Sequence, residues 1–194
     1  MPESKIKGRI LAAAIHLFGK LGFEGVTTRS IAKTAKCMEA GIYRLFQDKE
    51  GLYGEAITTV VEASVKGMAA FALKQYTDKN RKTGQTEVIK AAVHGWYSSL
   101  SVDGARLLQQ IILNDKHRRQ QAYKAFDNIL AILQTTLEQH FKKATKDFDA
   151  KTRSESLIWT LFQLKLSYSG SVDKENQEVD RYLLDWLQTL PTAN

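Results

Sequence analysis

Cysteine and proline are nearly missing from this chain of 194 residues. A single cysteine, Cys37, rules out an intrachain disulfide and any zinc site built from several thiolates, and it fits a reducing compartment. The two prolines, Pro2 and Pro191, stand at the ends, so no residue between them lacks a backbone donor or has φ fixed by a ring. No stretch of about 18 apolar residues occurs, which excludes a transmembrane helix by hydropathy. The opening residues, Met1 to Gly8, are charged and lead into an amphipathic segment instead of the apolar block of a secretion signal. A cytoplasmic protein with no membrane partner is therefore expected. Catalytic signatures are missing as well: there is no HExxH, no phosphate-cradling glycine loop and no G-x-S-x-G. The histidines His16, His94, His117 and His140 have no metal-ligand spacing among themselves. The expectation is a protein that is not an enzyme, with no catalytic residues, no metal and no cofactor.

What is present is apolar content and positive charge. Hydrophobic residues make up 43% of the chain, enough for a real core. The formal net charge is +7, which favours polyanionic partners. Residues 1–50 hold 9 Lys/Arg against 5 Asp/Glu, so this first quarter carries +4 of the excess.

Helical periodicity runs almost throughout. Ile6, Ile10, Ala14, Leu17, Phe18 and Leu21 share one face of a first helix, which Gly22 ends and onto which Phe23 folds back. Thr27 or Thr28 caps a short second helix with Ile31, Ala32 and Ala35 inward. Lys36 and Cys37 form a tight turn, and a third short helix follows over Met38 to Phe46. Asp48 caps a long fourth helix striped by Leu52, Tyr53, Ala56, Ile57, Val60, Val61, Ser64, Met68 and Phe71. A polar loop is predicted from Tyr76 to Gly84. Further helices are predicted near Thr86–Leu100, Asp103–Asn114, Arg118–Thr145, Thr152–Ser169 and Glu175–Leu190. The predicted class is all-α with about nine helices, and no strand-length alternation, repeat or low-complexity segment interrupts it.

The stretch from Gly22 to Leu52 is the most informative. It reads as cap, short helix, tight turn, short helix, cap and long helix, the pattern of a helix-turn-helix whose second helix enters the major groove of DNA. The same stretch resembles the tetracycline-repressor-like family. The resemblance rests on Gly22-Phe23, Thr27-Thr28-Arg29, Ile31-Ala32, Ile42-Tyr43, Phe46 and Lys49-Glu50-Gly51-Leu52, and it covers about residues 6–55. It implies an N-terminal three-helix DNA-binding domain at 1–50 and a larger helical ligand-sensing and dimerisation domain at 51–194. By position, Thr27, Thr28, Tyr43 and Lys49 are the implied phosphate contacts, and Arg29, Glu39, Ala40, Gly41 and Arg44 the implied base readers. Arginine can fork onto guanine, glutamate can accept from cytosine N4, and alanine can touch a thymine methyl. Three positions depart from the family's pattern. Lys36 stands where glycine is usual in the turn, Met38 stands where a capping Ser or Asp is usual, and Glu39 brings negative charge close to phosphates. Cys37 replaces a usual aliphatic, so it reads as a small core residue; a redox-sensing role would need exposure beside a positive charge such as Lys36.

The C-terminal helices read as a dimer interface. Val179, Tyr182, Leu183, Trp186, Leu187 and Leu190 form one stripe, and Leu157, Ile158, Trp159, Leu161, Phe162, Leu164, Leu166 and Tyr168 are apolar on more than one side. Leu157, Leu161, Leu164, Tyr168, Val179, Tyr182, Leu183 and Trp186 are the expected interface residues. The resemblance implies a two-fold four-helix bundle that spaces two reading helices for a pseudo-palindromic operator. His94, Trp96, Tyr97, Gln109, Tyr123, Phe126, Trp159, Phe162 and Lys165 are candidates for an effector pocket, the lysine suiting an anion. The expected function is a DNA-binding transcriptional regulator, acting as a homodimer on double-stranded DNA and as a repressor answering a small-molecule effector. The alternative is a helical dimeric small-molecule-binding or interaction protein that has lost specific DNA reading.

Overall fold

The computed structural model of the chain describes residues 3–77 and 85–120, part of 122–138, and residues 149–167 and 172–189. All regular structure among them is helical. The elements are α1 (Glu3–Leu21), α2 (Thr28–Ala35), α3 (Glu39–Phe46), α4 (Lys49–Thr77), α5 (Gln85–Ser99), α6 (Val102–Asn114), α7 (Ala150–Ser167) and α8 (Val172–Gln188). Between α6 and α7, the residues described from Arg119 to Glu138 are helical too. The expected all-helical class is the observed one. Tyr76, expected in a loop, lies in the last turn of α4. Ile129 and Leu137 of the predicted Arg118–Thr145 stripe, and Phe141, Tyr168 and Leu190, lie outside the described residues.

Packing groups the chain into two compact units. One holds residues 1–63 and 100–124, the other 64–99 and 125–194. In the first, α1 lies against both α6 and α2. The buried face of α1 is Ile10, Ala13, Ala14, Phe18 and Gly19. Gly19 sets the distance to α6, because a Cβ there would stand 2.8 Å from the Asp103 carbonyl oxygen and 3.1 Å from the Leu107 nitrogen. Gly22 ends α1 with φ +72°, its N–H donating to the Phe18 carbonyl at 2.9 Å. Phe23 then folds back on Phe18, with ring centroids 6.0 Å apart. Tyr53 of α4 closes the cluster at 4.8 Å from Phe18 and 4.9 Å from Phe23. Burial, reinforced by the negative charge of Asp115, pushes the Tyr53 phenol up, so it stays protonated. Leu52, Ala56, Ile57 and Val60 continue the buried face of α4, and Ala105, Leu107, Leu108 and Ile111 supply that of α6. Ser101 caps α6, its hydroxyl accepting from the Gly104 N–H at 3.0 Å.

The junction of α3 and α4 is strained. Gln47 sits at φ 68°, ψ −53°, with the Asp48 N–H donating back to the Phe46 carbonyl at 2.8 Å. This is the γ-turn of the rare, positive-φ hand. Asp48 then caps α4 as its position predicts, accepting from the Gly51 N–H at 2.7 Å. The crowding explains the glycine: a Cβ on Gly51 would lie 2.2 Å from the Phe46 carbonyl oxygen.

In the second unit, Ile89, Val93, Trp96 and Tyr97 of α5, Leu157, Ile158, Leu161 and Phe162 of α7, and Val179, Leu183 and Trp186 of α8 form the core. An ion pair is buried with them. The Lys165 ammonium donates to Glu175 Oε1 at 2.9 Å, the Tyr97 hydroxyl donates to the same oxygen at 2.8 Å, and Nζ stands 4.2 Å from the centre of the Tyr97 ring. Lys165 and Glu175 are only 8% and 9% exposed, so each supplies the partner that the other's burial requires.

Two substitutions check this packing. Gly51→Ala should lower stability by about 2 kcal/mol, as overpacking against backbone does. Gly54→Ala, where no atom comes within 4 Å of the added Cβ, should be neutral or stabilising by up to about 1 kcal/mol; equal melting temperatures for the two variants would refute the crowding. Lys165→Met should cost about 3 kcal/mol in urea unfolding by stranding Glu175, and adding Glu175→Gln should recover most of that loss.

Candidate nucleic-acid interface

Thr27 and not Thr28 caps α2. Its backbone is extended, its hydroxyl accepts from the Ser30 N–H at 3.1 Å, and Ser30 Oγ accepts from the Thr27 N–H at 3.2 Å. The two side chains thus satisfy donors that the helix start leaves open. At the other end Lys36 adopts the left-handed conformation, φ 51° and ψ 51°. The Lys36 N–H donates to the Lys33 carbonyl and the Cys37 N–H to the Ala32 carbonyl, at 3.2 and 3.0 Å, the paired bonds of a Schellman ending. A lysine there costs on the order of 1 kcal/mol relative to glycine. Arg9 of α1 offsets it, because its guanidinium donates to the Ala35 and Lys36 carbonyls, and charge-assisted bonds are the stronger kind. Sequence reading identified the unusual lysine but missed its brace; the i-to-i+27 pairing leaves no local pattern. Cys37 is half-buried.

The recognition helix expected from the sequence is α3. Ile42 and Phe46 point inward, 0% and 6% exposed, and Met38 makes no capping bond, as its residue type predicts. Ala40, Tyr43 and Arg44 are exposed on the outer face, and nothing lies within 4 Å of a Cβ added at Gly41. Arg44 reaches Glu3 at 3.6 Å with both side chains about two-thirds exposed, a contact that solvent screens strongly. Arg29 is exposed on α2. Met38 is 82% exposed immediately before α3. Sequence reading treated it only as a missing cap, whereas its place gives an apolar group on the open face, suited to a thymine methyl.

Three of the expected contacts are tied to one another. The Thr28 hydroxyl donates to Glu39 Oε1 at 2.5 Å and lies 3.2 Å from the Tyr43 hydroxyl. Thr28 has one hydroxyl proton, so with that proton on Glu39 it is Tyr43 that donates to Thr28. Tyr43 is 50% exposed, whereas Thr28 is 9% exposed and is the least accessible of the set. Glu39 thereby joins α3 to α2. Lys49 is also engaged inward: its ammonium donates to the Phe23 and Val26 carbonyls, each at 3.1 Å, and stands 4.1 Å from the Phe23 ring centre. It locks the loop before α2 to the start of α4.

The expected effector residues fall in separate groups. Phe126 stacks on Trp159 at 5.2 Å and meets Phe162 edge-on at 5.2 Å. Tyr97 and Lys165 meet at Glu175, so the lysine charge expected to await an anion is already paired. His94 lies 2.7 Å from Asp180. Trp96 is buried, while Gln109 and Tyr123 belong to the first compact unit. Among the expected dimer residues, Leu157, Leu161, Val179 and Leu183 are at most 1% exposed in the single chain, and Trp186 is 8% exposed. This burial is within the single chain, where the stripe packs in the core of the second unit. Leu164 and Tyr182 are half-buried, and Leu184, not among those expected, is 46% exposed. Among the described residues no cluster of metal-ligating side chains is present, and no helix is long and apolar enough to cross a membrane.

Residues 10–56 match the family model described as bacterial regulatory proteins, tetR family. Over 44 residues the chain is 48% identical to the uncharacterized HTH-type transcriptional regulator YvkB of Bacillus subtilis, a match that spans 23% of this chain and 23% of that relative. The whole fold is similar to solved structures at low identity. The ketosteroid transcriptional regulator KstR2 of Mycobacterium tuberculosis superposes with a TM-score of 0.74 at 15% identity, over 96% of this chain and 95% of that one. A transcriptional regulator of Aquifex aeolicus superposes with a TM-score of 0.66 at 21% identity, over 92% and 98%. A tetR-family regulatory protein from Rhodococcus RHA1 gives 0.72 at 16%, over 97% and 98%. The N-terminal helix-turn-helix thus matches the tetR family of bacterial regulatory proteins, and the chain shares its fold over nearly its full length with solved regulators of this kind.

Proposed function

We propose that the chain is a DNA-binding transcriptional regulator that acts as a homodimer and is released from its operator by a small molecule. One observation carries the reading: α3 presents Ala40, Gly41, Tyr43 and Arg44, with Met38 just before it, on an open face while Ile42 and Phe46 anchor it, within the stretch that matches the family model. A helix presented this way fits the major groove, with Arg44 and Arg29 as guanine readers, Ala40 and Met38 against thymine methyls and Glu39 opposite cytosine N4. Thr27 and Tyr43 are the accessible phosphate contacts. Lys49 acts chiefly by holding the loop that carries Thr27, and Thr28 by orienting Tyr43. Residues 1–50 form the reading part and the rest senses and dimerises.

Dimerisation is supported by the spacing that DNA imposes. One half-site offers few contacts, and two reading helices spaced about 34–36 Å apart meet successive major grooves. The outward positions of α7 and α8, Leu164, Tyr182 and Leu184, are the apolar groups available to a second copy. An effector held by the second unit, beside the Phe126–Trp159–Phe162 cluster, reaches the reading part along α4, which contributes residues to both units. Release requires tighter binding of the effector to the form that does not hold DNA. The family's usual role is repression, and the lack of catalytic signatures fits a regulator in place of an enzyme.

Selection of bound fragments from random DNA, followed by mobility shifts at two salt concentrations, tests the reading. Binding should select one pseudo-palindrome and weaken as salt rises. Arg44→Ala should cost about 1–3 kcal/mol and change which sequences are selected, whereas Tyr43→Phe should weaken binding evenly across sequences. Glu39→Ala should strengthen binding to unselected DNA, since it removes a carboxylate facing phosphates, and should reduce discrimination at one base pair of each half-site. No selection, with all three variants indistinguishable from the parent, would overturn the proposal.

A further inference from the structure

A cleft of about 610 Å³ opens on the first compact unit, within the roughly 300–1,000 Å³ usual for small-molecule sites. Its walls are the end of α1 with the loop after it, the start of α4, and the end of α6 with the turn that follows. It is distinct from the effector residues of the second unit.

Its fittings are specific. Phe23 and the buried Tyr53 give it an aromatic wall. The Arg118 guanidinium lies against both rings, with Cζ 5.6 Å from the Phe23 centre and 5.0 Å from that of Tyr53. Its two ends are taken by carboxylates: Nη1 meets Asp115 at 3.1 Å and Nη2 meets Glu50. Asp115 is held in place by the His117 and Arg118 N–H groups at 3.1 and 3.0 Å. A planar cation is thus stacked on aromatic faces and forked between two anions, the arrangement in which guanidinium groups are recognised. The cation belongs to the chain, and its side chain remains 26% exposed, so a competitor can approach.

We propose that this cleft is a binding site for a planar organic cation of the amidinium or guanidinium class, whose place Arg118 takes in the free chain. The local charges favour a cation once Arg118 swings out. Glu24, Glu50 and Asp115 line the cleft against Lys116 and His117, while Lys49, on the Phe23 ring, is committed to backbone carbonyls. Arg118 masks the site, and removing the mask raises the apparent affinity by the inverse of the fraction of time the site stands empty.

Calorimetric titration of the full chain with benzamidine, and with benzamide as its neutral isostere, tests this without DNA, so its failure leaves the DNA-reading proposal standing. Benzamidine should bind the parent weakly and Arg118→Met about tenfold or more tightly. Adding Asp115→Asn to Arg118→Met should reverse that gain, and benzamide should bind none of them. If Arg118→Met does not fold, the parent suffices: benzamidine, and not benzamide, should shift the NMR signals of the Tyr53 ring. Equal behaviour of benzamidine and benzamide, no gain in Arg118→Met, or indifference to Asp115→Asn would each overturn the proposal.

Discussion

Two helices of eight residues, α2 and α3, are too short to persist in water alone, where helices below about 12–15 residues are marginal. Everything the reading head does depends on how they are packed, α2 against α1 and α3 against α2. Ile10, Ala14 and Phe18 are fully buried on α1, as are Ile31 and Ile42 on the short helices. Gly19 lets α6 approach from another side of α1. The DNA-facing part is therefore not an appendage with its own core: α6 and the turn after it are built into the same compact unit.

Polar contacts then fix what apolar packing leaves loose. Arg9 holds the left-handed turn after α2, Lys49 ties the loop before α2 to α4, and the Tyr43–Thr28–Glu39 chain links α2 to α3. The missing cap at Met38 is tolerated in this setting, because Glu39 supplies negative charge to the first turn of α3, where the helix dipole favours it. The same carboxylate accepts from the Thr28 hydroxyl, which is proposed to orient Tyr43 toward phosphate. A reading head with its own internal partner must exchange that partner for DNA, which favours sequences that satisfy Glu39 over those that do not.

Periodicity made the helix order legible, and cap chemistry located two helix starts, Asp48 before α4 and one of the Thr27–Thr28 pair before α2. The motif from Gly22 to Leu52 carried the resemblance to the tetR family, whose model matches residues 10–56. What escaped was long-range or strained. Arg9 and Lys49 find their carbonyls 23–27 residues away, beyond any local pattern. The γ-turn at Gln47 left no trace because the residue there is not the glycine such geometry favours. The apolar stripes of α7 and α8 announced burial, but a stripe does not say which chain does the burying; Leu157, Leu161, Val179 and Leu183 prove to be covered by their own chain. Lys165 reads as an unclaimed cation until Glu175, ten residues on, folds against it.

The most direct test of DNA reading by paired α3 helices is hydroxyl-radical footprinting of the full chain on a fragment selected for tight binding. Two protected patches related by a dyad and centred about 10 base pairs apart, or a multiple of that, on one side of the duplex are the predicted result. A single patch, or uniform protection that follows protein concentration without regard to sequence, would contradict it.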